Sequence, residues 1–365
     1  LLTSLTPHIL LTFDVEDWFQ VENLRPWNPP ASWSERELRV EQSTHRVLDL
    51  LDALCRIQGR GDQRSEVRGQ RSEVRGQRSE KPGTKHQEPG TRNQKPETRN
   101  QEPSTSIKAT FFVLGWVAQR CPGLVREIQA RGHEVASHGE NHLLCTGQDP
   151  EALRQDLIRS RSGLEDLIGA PVLGYRAPSF SISESVLDRI LEAGYRYDSS
   201  YNSFALHKRY GRVAFAKPAG PGVAIEHRPG FYELPLSNLS LGGRVLPWGG
   251  GGYFRLIPAW MFTRGVRSIL RTAGAYVMYL HPWEFDPGQP RVREASWQLG
   301  FRHYVNLHKT GAKLERLVRA CADCRFRTCA GYLGFGEESS QFTVHSWENK
   351  MVSRWVGEAV NREEG

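Results

Sequence analysis

The sequence lacks long hydrophobic runs and has few cysteines. No stretch of about 18 or more apolar residues occurs, whereas a transmembrane helix needs about 20, so no membrane-spanning segment is expected. Six cysteines are too few to form a disulfide framework for 365 residues, and we expect reduced thiols. The first residues, Leu1-Leu2-Thr3-Ser4, lack the basic segment of a secretory signal peptide. A cytoplasmic location is therefore the default expectation. Because residue 1 is not methionine, we leave open whether a further segment precedes it.

Positive charge is unevenly distributed along the chain. The formal net charge is +7, yet residues 59–106 hold eleven Lys/Arg against seven Asp/Glu and so contribute +4 of it. This segment contains a seven-residue unit, Arg64 to Gln70, that recurs directly afterwards. Only Val67 and Val74 in these repeats are hydrophobic, so no coiled-coil seam can form. We interpret 59–106 as a disordered low-complexity insertion. A basic tether for an anionic partner is the alternative, but the interspersed acids disfavour it and no nucleic-acid partner is expected.

Short β-rich runs alternate with helical patterns in the rest of the chain. An apolar face over 43–57 and an Asp149-Pro150 start predict helices, and Ser181 with Glu184 predicts a capping box for another. This alternation indicates βα units, a largely parallel sheet and an α/β fold. Further helices are expected at 122–131 and 310–320. The expected strands are 8–13, 108–114, 135–137, 171–175, 195–197 and 276–280.

Polar side chains suited to catalysis follow the ends of these strands. They are Asp14, His138, Arg176, Asp198 and His281. Barrel and open α/β enzymes place their sites at this edge of the sheet. His142 stands four residues after His138, a spacing that would put both rings on one face of a helical turn. With a carboxylate from the first strand end, the two histidines would form a metal site with positions open for water and substrate.

The motifs that carry these residues resemble the polysaccharide deacetylases of the NodB-homology type. The matching motifs are Thr12-Phe13-Asp14-Val15-Glu16-Asp17, Ser137-His138-Gly139-Glu140-Asn141-His142, Arg176-Ala177-Pro178-Ser179-Phe180 and Leu280-His281. The resemblance covers roughly residues 8–285 without the insertion. Segments 249–255 and 281–287 further resemble a bacterial subfamily with an extra C-terminal segment, associated with exosortase-linked exopolysaccharide loci. This resemblance implies a distorted (β/α) barrel, a divalent metal that is usually zinc, and removal of N- or O-acetyl groups from sugars.

The resemblance also implies a role for each matching residue. Asp14 corresponds to the general base, Arg176 to the residue that tethers it, and His281 to the general acid. His138 and His142 correspond to metal ligands. Asp198 corresponds to the acid that orients the catalytic histidine, although Ser199 follows it where the family commonly has Trp. Phe180 corresponds to a position whose backbone N–H stabilises the oxyanion.

The carboxylate ligand of the metal is ambiguous in this sequence. The family commonly has adjacent aspartates, but Val15 follows Asp14 here. On an extended strand end Glu16 would share the side of Asp14, whereas a turn would bring Asp17 round. We favour Asp17 because its shorter side chain resembles the family's ligand.

These patterns predict a metal-dependent hydrolase that removes acetyl groups from a bacterial (exo)polysaccharide or its precursor. Residues 1–58 and 107–320 would form one catalytic domain, 59–106 the insertion and 321–365 a C-terminal tail. One alternative is a hydrolase of the same fold that cleaves a non-sugar C–N bond, such as that of a cyclic ureide. Another is a glycan-binding protein with impaired catalysis, which the altered first motif would allow. The sequence does not indicate an oligomeric state.

Overall fold

The structure, a computed structural model, describes residues 6–56, 106–204, 213–215 and 222–335. The insertion expected at 59–106 lies outside the described residues apart from residue 106. The described strands are β1 (His8–Val15), β2 (Ala109–Val113), β3 (Glu134–Ser137), β4 (Gly174–Tyr175), β5 (Tyr197–Asp198), β6 (Ile225–Arg228), β7 (Phe231–Glu233), β8 (Asn238–Leu241), β9 (Arg244–Pro247), β10 (Ala275–Leu280) and β11 (Arg325–Phe326).

Helices connect most of these strands. They are α1 (residues 40–56), α2 (Gly115–Arg120), α3 (Pro122–Ala130), α4 (Pro150–Ile168), α5 (Glu184–Glu192), α6 (Gly251–Leu256), α7 (Ala259–Ala273), α8 (Trp297–Tyr304), α9 (Thr310–Ala320) and α10 (Cys329–Tyr332). None of the described helices is long and apolar enough to cross a membrane.

One curled, mostly parallel sheet forms the centre of the fold. Its strand order is β10-β1-β2-β3-β4-β5-β7-β6, with β11 also pairing with β1. Only the β6–β7 pair is antiparallel in this sheet, and no pairing among the described strands joins β6 to β10. The expected α/β class and distorted (β/α) barrel are confirmed, in the form of an open half-barrel. The hairpin of β8 and β9 forms a separate two-stranded sheet that the sequence patterns did not reveal.

The parallel register brings the carboxyl ends of the strands to one edge. Phe13 of β1 lies beside Leu280 of β10, and Val15 beside Val113 of β2. In turn Val113 lies beside Ser137 of β3. Burial on both faces explains the continuous apolar run of β1, in which every residue after His8 is buried. The side chains that follow these strand ends therefore meet in one place.

The predicted cap of α5 is wrong. Ser183, not Ser181, caps α5, because the Ser183 side chain accepts the Val186 N–H. The Ser181 hydroxyl instead donates to the Pro178 carbonyl and accepts the Cys145 N–H. The sequence also predicts a domain boundary at residue 320. Strand β11 pairs with His8 and Ile9 of β1, so the first part of the predicted tail belongs to the fold. The wider division into domains stays a prediction.

A buried histidine beside β3 makes stability sensitive to acid. His133 is 5% exposed and packs against the Phe111 ring with centroids 5.3 Å apart. Neither ring nitrogen has a hydrogen-bond partner in the described part of the chain. Burial, aided by the nearby Lys108 charge, lowers the pKa of His133 to about 4. Protonation therefore favours the unfolded chain, and stability is lost as the pH falls from about 6.5 towards 4.

The His133→Phe variant should lose less stability in acid than the wild-type protein. Between pH 7.5 and pH 5, the wild type should lose about 2 kcal/mol more of its free energy of unfolding than the variant. Urea titrations at both pH values measure the difference, with the exposed His308 changed to Phe as the control. Equal pH dependence in wild type and His133→Phe would contradict this assignment.

Candidate metal centre and acid–base site

A buried ion pair joins the ends of β1 and β4. Arg176 is fully buried, and its Nη1 donates to Asp14 Oδ1 at 2.7 Å and to Thr12 Oγ1 at 2.6 Å. Its Nε and Nη2 donate to the carbonyl and hydroxyl oxygens of Ser199, each at 2.8 Å. Asp14 itself is 3% exposed. The guanidinium therefore holds one carboxylate oxygen of Asp14 in place, which is the geometry expected of a tethered base.

The two histidines come from the segment that follows β3. The ring centroids of His138 and His142 lie 5.3 Å apart, and both side chains are buried. No helical turn joins them; the segment is irregular, with positive φ angles at Gly139 and His142. The predicted proximity is correct, but its predicted cause is wrong.

A backbone contact orients the His138 ring. Its Nδ1 lies 2.8 Å from the Arg176 carbonyl oxygen, an acceptor that assigns the proton to Nδ1 and leaves Nε2 with a lone pair. Burial lowers the pKa of His138 to about 4. A neutral imidazole with a fixed tautomer is the form that binds metals.

Glu16 is the carboxylate that accompanies the histidines. One ligand atom from each of Glu16, His138 and His142 lies within 4.8 Å of the others, and Glu16 Oε2 lies 3.0 Å from His142 Nε2. Burial opposes ionisation of Glu16, but His142 and the other two nearby histidines outweigh it and lower its pKa to about 2. The cluster thus combines one carboxylate with two imidazoles.

Asp17, the ligand favoured from the family resemblance, lies outside this cluster. Its Oδ2 accepts the backbone N–H groups of Arg39 and Val40 at 2.7 and 2.8 Å. Its Oδ1 accepts the Trp18 N–H at 2.8 Å. Asp17 therefore holds the start of α1. The preference for Asp17 is wrong in this structure. Just past β1 the Glu16 N–H donates to the Asp14 carbonyl at 3.0 Å, and beyond this tight turn Glu16, not Asp17, lies beside the histidines.

His281, just past the end of β10, faces both Asp14 and Glu16. Its Nε2 lies 3.3 Å from Glu16 Oε1 and 3.9 Å from Asp14 Oδ2. Its Nδ1 lies 2.9 Å from Glu284 Oε1. Burial lowers the pKa of His281, but the Glu284 hydrogen bond and the neighbouring carboxylates more than offset this and raise it to about 9. The ring therefore carries a proton at neutral pH.

Asp198 does not orient His281, contrary to the prediction. Its carboxylate accepts the Ser200 N–H and hydroxyl at 3.0 and 2.8 Å. Burial and the adjacent Asp198 carboxylate raise the pKa of Glu233 well above its usual range. Asp198 and Glu233 fix the segment after β5, while Glu284 is the acid bonded to His281.

The Phe180 N–H is already occupied. It donates to the Ala177 carbonyl at 2.9 Å inside a short 3-10 turn, and Phe180 has a φ of 59°. Its ring packs on Tyr279, the residue two before His281. In this conformation the N–H is not available to an oxyanion, and that predicted role is not supported.

Sequence reasoning missed Glu233 and Glu284. Glu233 lies on β7, a three-residue strand too short to produce a periodic pattern. Glu284 did have a signal: it stands three residues after His281, and the intervening Pro282 favours the start of a helical turn. Both parts of a capping box are present there, which explains the contact between the two side chains.

The cluster fits a divalent cation. Two imidazoles and one carboxylate form the donor set of many catalytic metal sites and leave coordination positions open. All three side chains are buried, and within the described residues the His142 Nδ1 has no hydrogen-bond partner. Burying three ligand side chains close together, one of them with an unsatisfied nitrogen, costs free energy unless a cation binds between them.

The fold and this cluster define an α/β half-barrel with a two-histidine, one-carboxylate site at the strand ends. Two known families match parts of this chain. Residues 104–197 match the polysaccharide deacetylase family, and residues 199–334 match a domain of unknown function, DUF3473. Residues 104–197 are thus similar to the polysaccharide deacetylases, and residues 199–334 are similar to DUF3473.

Individual relatives match over a limited length. A peptidoglycan-N-acetylglucosamine deacetylase from Bacillus cereus is 35% identical over 89 residues, 24% of this chain and 41% of that protein. A chitooligosaccharide deacetylase from Sinorhizobium fredii is 38% identical over 91 residues, 24% of this chain and 41% of that protein. These matches span less than half of either relative. A crystal structure of a Mycobacterium smegmatis protein assigned to the polysaccharide deacetylases covers 90% of this chain and 89% of its own at 18% identity, with a TM-score of 0.48.

Two variants should separate the roles of Glu16 and Asp17. Glu16→Gln removes a charged ligand and should lower the affinity for a divalent cation by more than about 100-fold. Asp17→Asn should leave metal affinity nearly unchanged but lower the free energy of unfolding by about 1–2 kcal/mol, because an acceptor at the start of α1 is weakened. Calorimetric Zn²⁺ titration and urea unfolding measure the two effects. Loss of metal binding in Asp17→Asn alone would reverse our assignment.

Proposed function

We propose that this protein is a metal-dependent deacetylase that hydrolyses acetyl groups on sugars of a bacterial exopolysaccharide or its precursor. One observation carries the proposal: the Glu16, His138 and His142 cluster lies against both the Asp14–Arg176 pair and His281. Hydrolysis of an acetyl group needs an activated water, a base and an acid in reach of one carbonyl. The matched peptidoglycan and chitooligosaccharide deacetylases support the choice of an acetylated sugar as substrate.

Glu16, His138 and His142 would hold the cation, for which we propose Zn²⁺. Bound there, it would supply Lewis acidity towards the acetyl carbonyl oxygen and towards water. The His138 contact with the Arg176 carbonyl keeps the ring in its metal-binding tautomer.

Asp14 acts as the base in this proposal. Arg176 occupies its Oδ1, so Oδ2, on the side of His281, accepts the proton of the attacking water. The remaining guanidinium donors bond to Thr12 and Ser199, so Arg176 cannot leave Asp14 to contact the substrate. The base is thus kept in one orientation throughout the reaction.

His281 acts as the acid. It carries a proton on Nε2, the nitrogen that faces Asp14 and Glu16, and transfers it to the departing amine or alcohol. Its side chain is 18% exposed, against 3–4% for those of Glu16 and Asp14. His281 is thus the most accessible of these three side chains, as a group that meets the leaving group needs to be.

The His138→Ala and Asp14→Asn variants test the proposal together. We expect His138→Ala to abolish both Zn²⁺ binding and acetate release, because it removes a ligand. Asp14→Asn should still bind Zn²⁺ but release acetate about 10²- to 10⁴-fold more slowly, because the base is lost. Acetate released from chitooligosaccharides, peptidoglycan fragments and an acetylated exopolysaccharide is the measurement.

The exposed His308 changed to Ala is the control for the histidine substitution. Full acetate release by His138→Ala would contradict the proposal. Hydrolysis of a cyclic ureide in place of any acetylated sugar would indicate the alternative reaction of the same fold.

A further inference from the structure

The mechanism above leaves unexplained a buried arginine and a glycine run in the region of unknown function. Arg255 is 3% exposed, and four glycines occupy 249–252. We propose that Arg255, Glu284 and Gly251 form a positioning set that holds the ring of His281. The inference rests on the proposed function, in which His281 protonates the leaving group. It gives part of the DUF3473 region, 199–334, a defined role.

Glu284 divides its two oxygens between His281 and Arg255. Its Oε1 lies 2.9 Å from His281 Nδ1 and accepts the His281 backbone N–H at 3.1 Å. Its Oε2 accepts Arg255 Nε at 2.8 Å. Glu284 is 1% exposed, so bulk water does not compete for these bonds. The carboxylate cannot rotate without losing a partner on both sides.

Arg255 is itself fixed by the end of α8. Its Nη1 donates to the carbonyl oxygens of His303 and Val305, each at 2.8 Å. A buried cation needs an anion and hydrogen-bond acceptors to remain charged, and here Glu284 and these carbonyls supply both. Arg255 thus fixes Glu284 relative to the end of α8.

Gly251 allows the start of α6 to approach Glu284. A Cβ at Gly251 would overlap the Glu284 carboxylate, whereas a Cβ at the adjacent Gly252 would meet nothing within 4 Å. Neither residue has a positive φ. The requirement for glycine at 251 is therefore close approach and not backbone conformation.

A ring stack constrains the plane of His281. Trp283 stacks on His281 with centroids 5.0 Å apart, and His303 stacks on Trp283 at 4.2 Å. Because Nδ1 is held by Glu284 and the ring plane by Trp283, Nε2 is directed at the two carboxylates at the end of the first strand. Glu284 and Arg255 act through His281 and are positioning residues, not catalytic ones.

Glu284→Gln should disrupt the set with little change in volume. A Gln side chain has one oxygen, but Arg255 and His281 each require an acceptor, so one of them must face an NH₂ group. Gly251→Ala should displace the carboxylate sterically, and Gly252→Ala is its matched control. We expect Glu284→Gln and Gly251→Ala to lower kcat for an N-acetylated chitooligosaccharide by about 100-fold, with KM little changed. Gly252→Ala should match the wild type.

An activated ester distinguishes positioning of the acid from general damage. The phenolate of 4-nitrophenyl acetate leaves without protonation, so both disruptive variants should hydrolyse it at nearly the wild-type rate. Equal losses on the ester and the chitooligosaccharide would overturn the proposal. So would undiminished activity of Glu284→Gln on both substrates.

A second readout does not depend on turnover. In protein labelled with ¹⁵N-histidine, the His281 Nδ1–H should give a slowly exchanging NMR signal in wild type and Gly252→Ala, assigned by its absence in His281→Gln. This signal should be lost or shifted in Glu284→Gln and Gly251→Ala, because the carboxylate contact is replaced or displaced, and an unchanged signal in both would overturn the proposal. If the wild type releases no acetate from any sugar, the proposed function fails while this signal still decides the positioning role. If Gly251→Ala does not fold, Glu284→Gln alone decides it.

Discussion

The buried Arg176 guanidinium is the interaction on which the site depends. It bonds to Asp14 and Thr12 on β1 and to Ser199 after β5, while its own carbonyl holds His138. A cation with no exposure is stable only if these acceptors stay in place, and loss of one partner costs about 3–5 kcal/mol. The register of the parallel strands supplies that arrangement. The ion pair thereby couples the fold of the sheet to the orientation of both the base and a metal ligand.

Much of this arrangement could be predicted from sequence. Continuous apolar runs identified β1, β2 and β10, and the residues that follow strand ends in a parallel sheet must share an edge. Asp14, Arg176 and His281 accordingly lie together, as do the two histidines. These predictions needed only periodicity and topology. Both are properties that the order of residues determines without knowledge of side-chain packing.

The errors lie where local geometry decides. The choice between Glu16 and Asp17 depended on the backbone just past β1, where a tight turn bonds Glu16 to Asp14, and analogy with a shorter ligand gave the wrong answer. The acid that supports His281 was sought beyond another strand, at Asp198, although Glu284 lies three residues along the chain. The two matched family regions meet between residues 197 and 199, yet β1, which precedes both, pairs with β2 of the first and with β10 of the second, so both contribute to one site.

A crystal structure of the protein grown with Zn²⁺ would test the central claim most directly, because anomalous scattering locates the ion without reference to activity. We predict one ion bound by Glu16, His138 and His142, with Asp17 still accepting the N–H groups of Arg39 and Val40 at the start of α1. An ion bound by Asp17, or no ion between the two histidines at saturating Zn²⁺, would contradict the account.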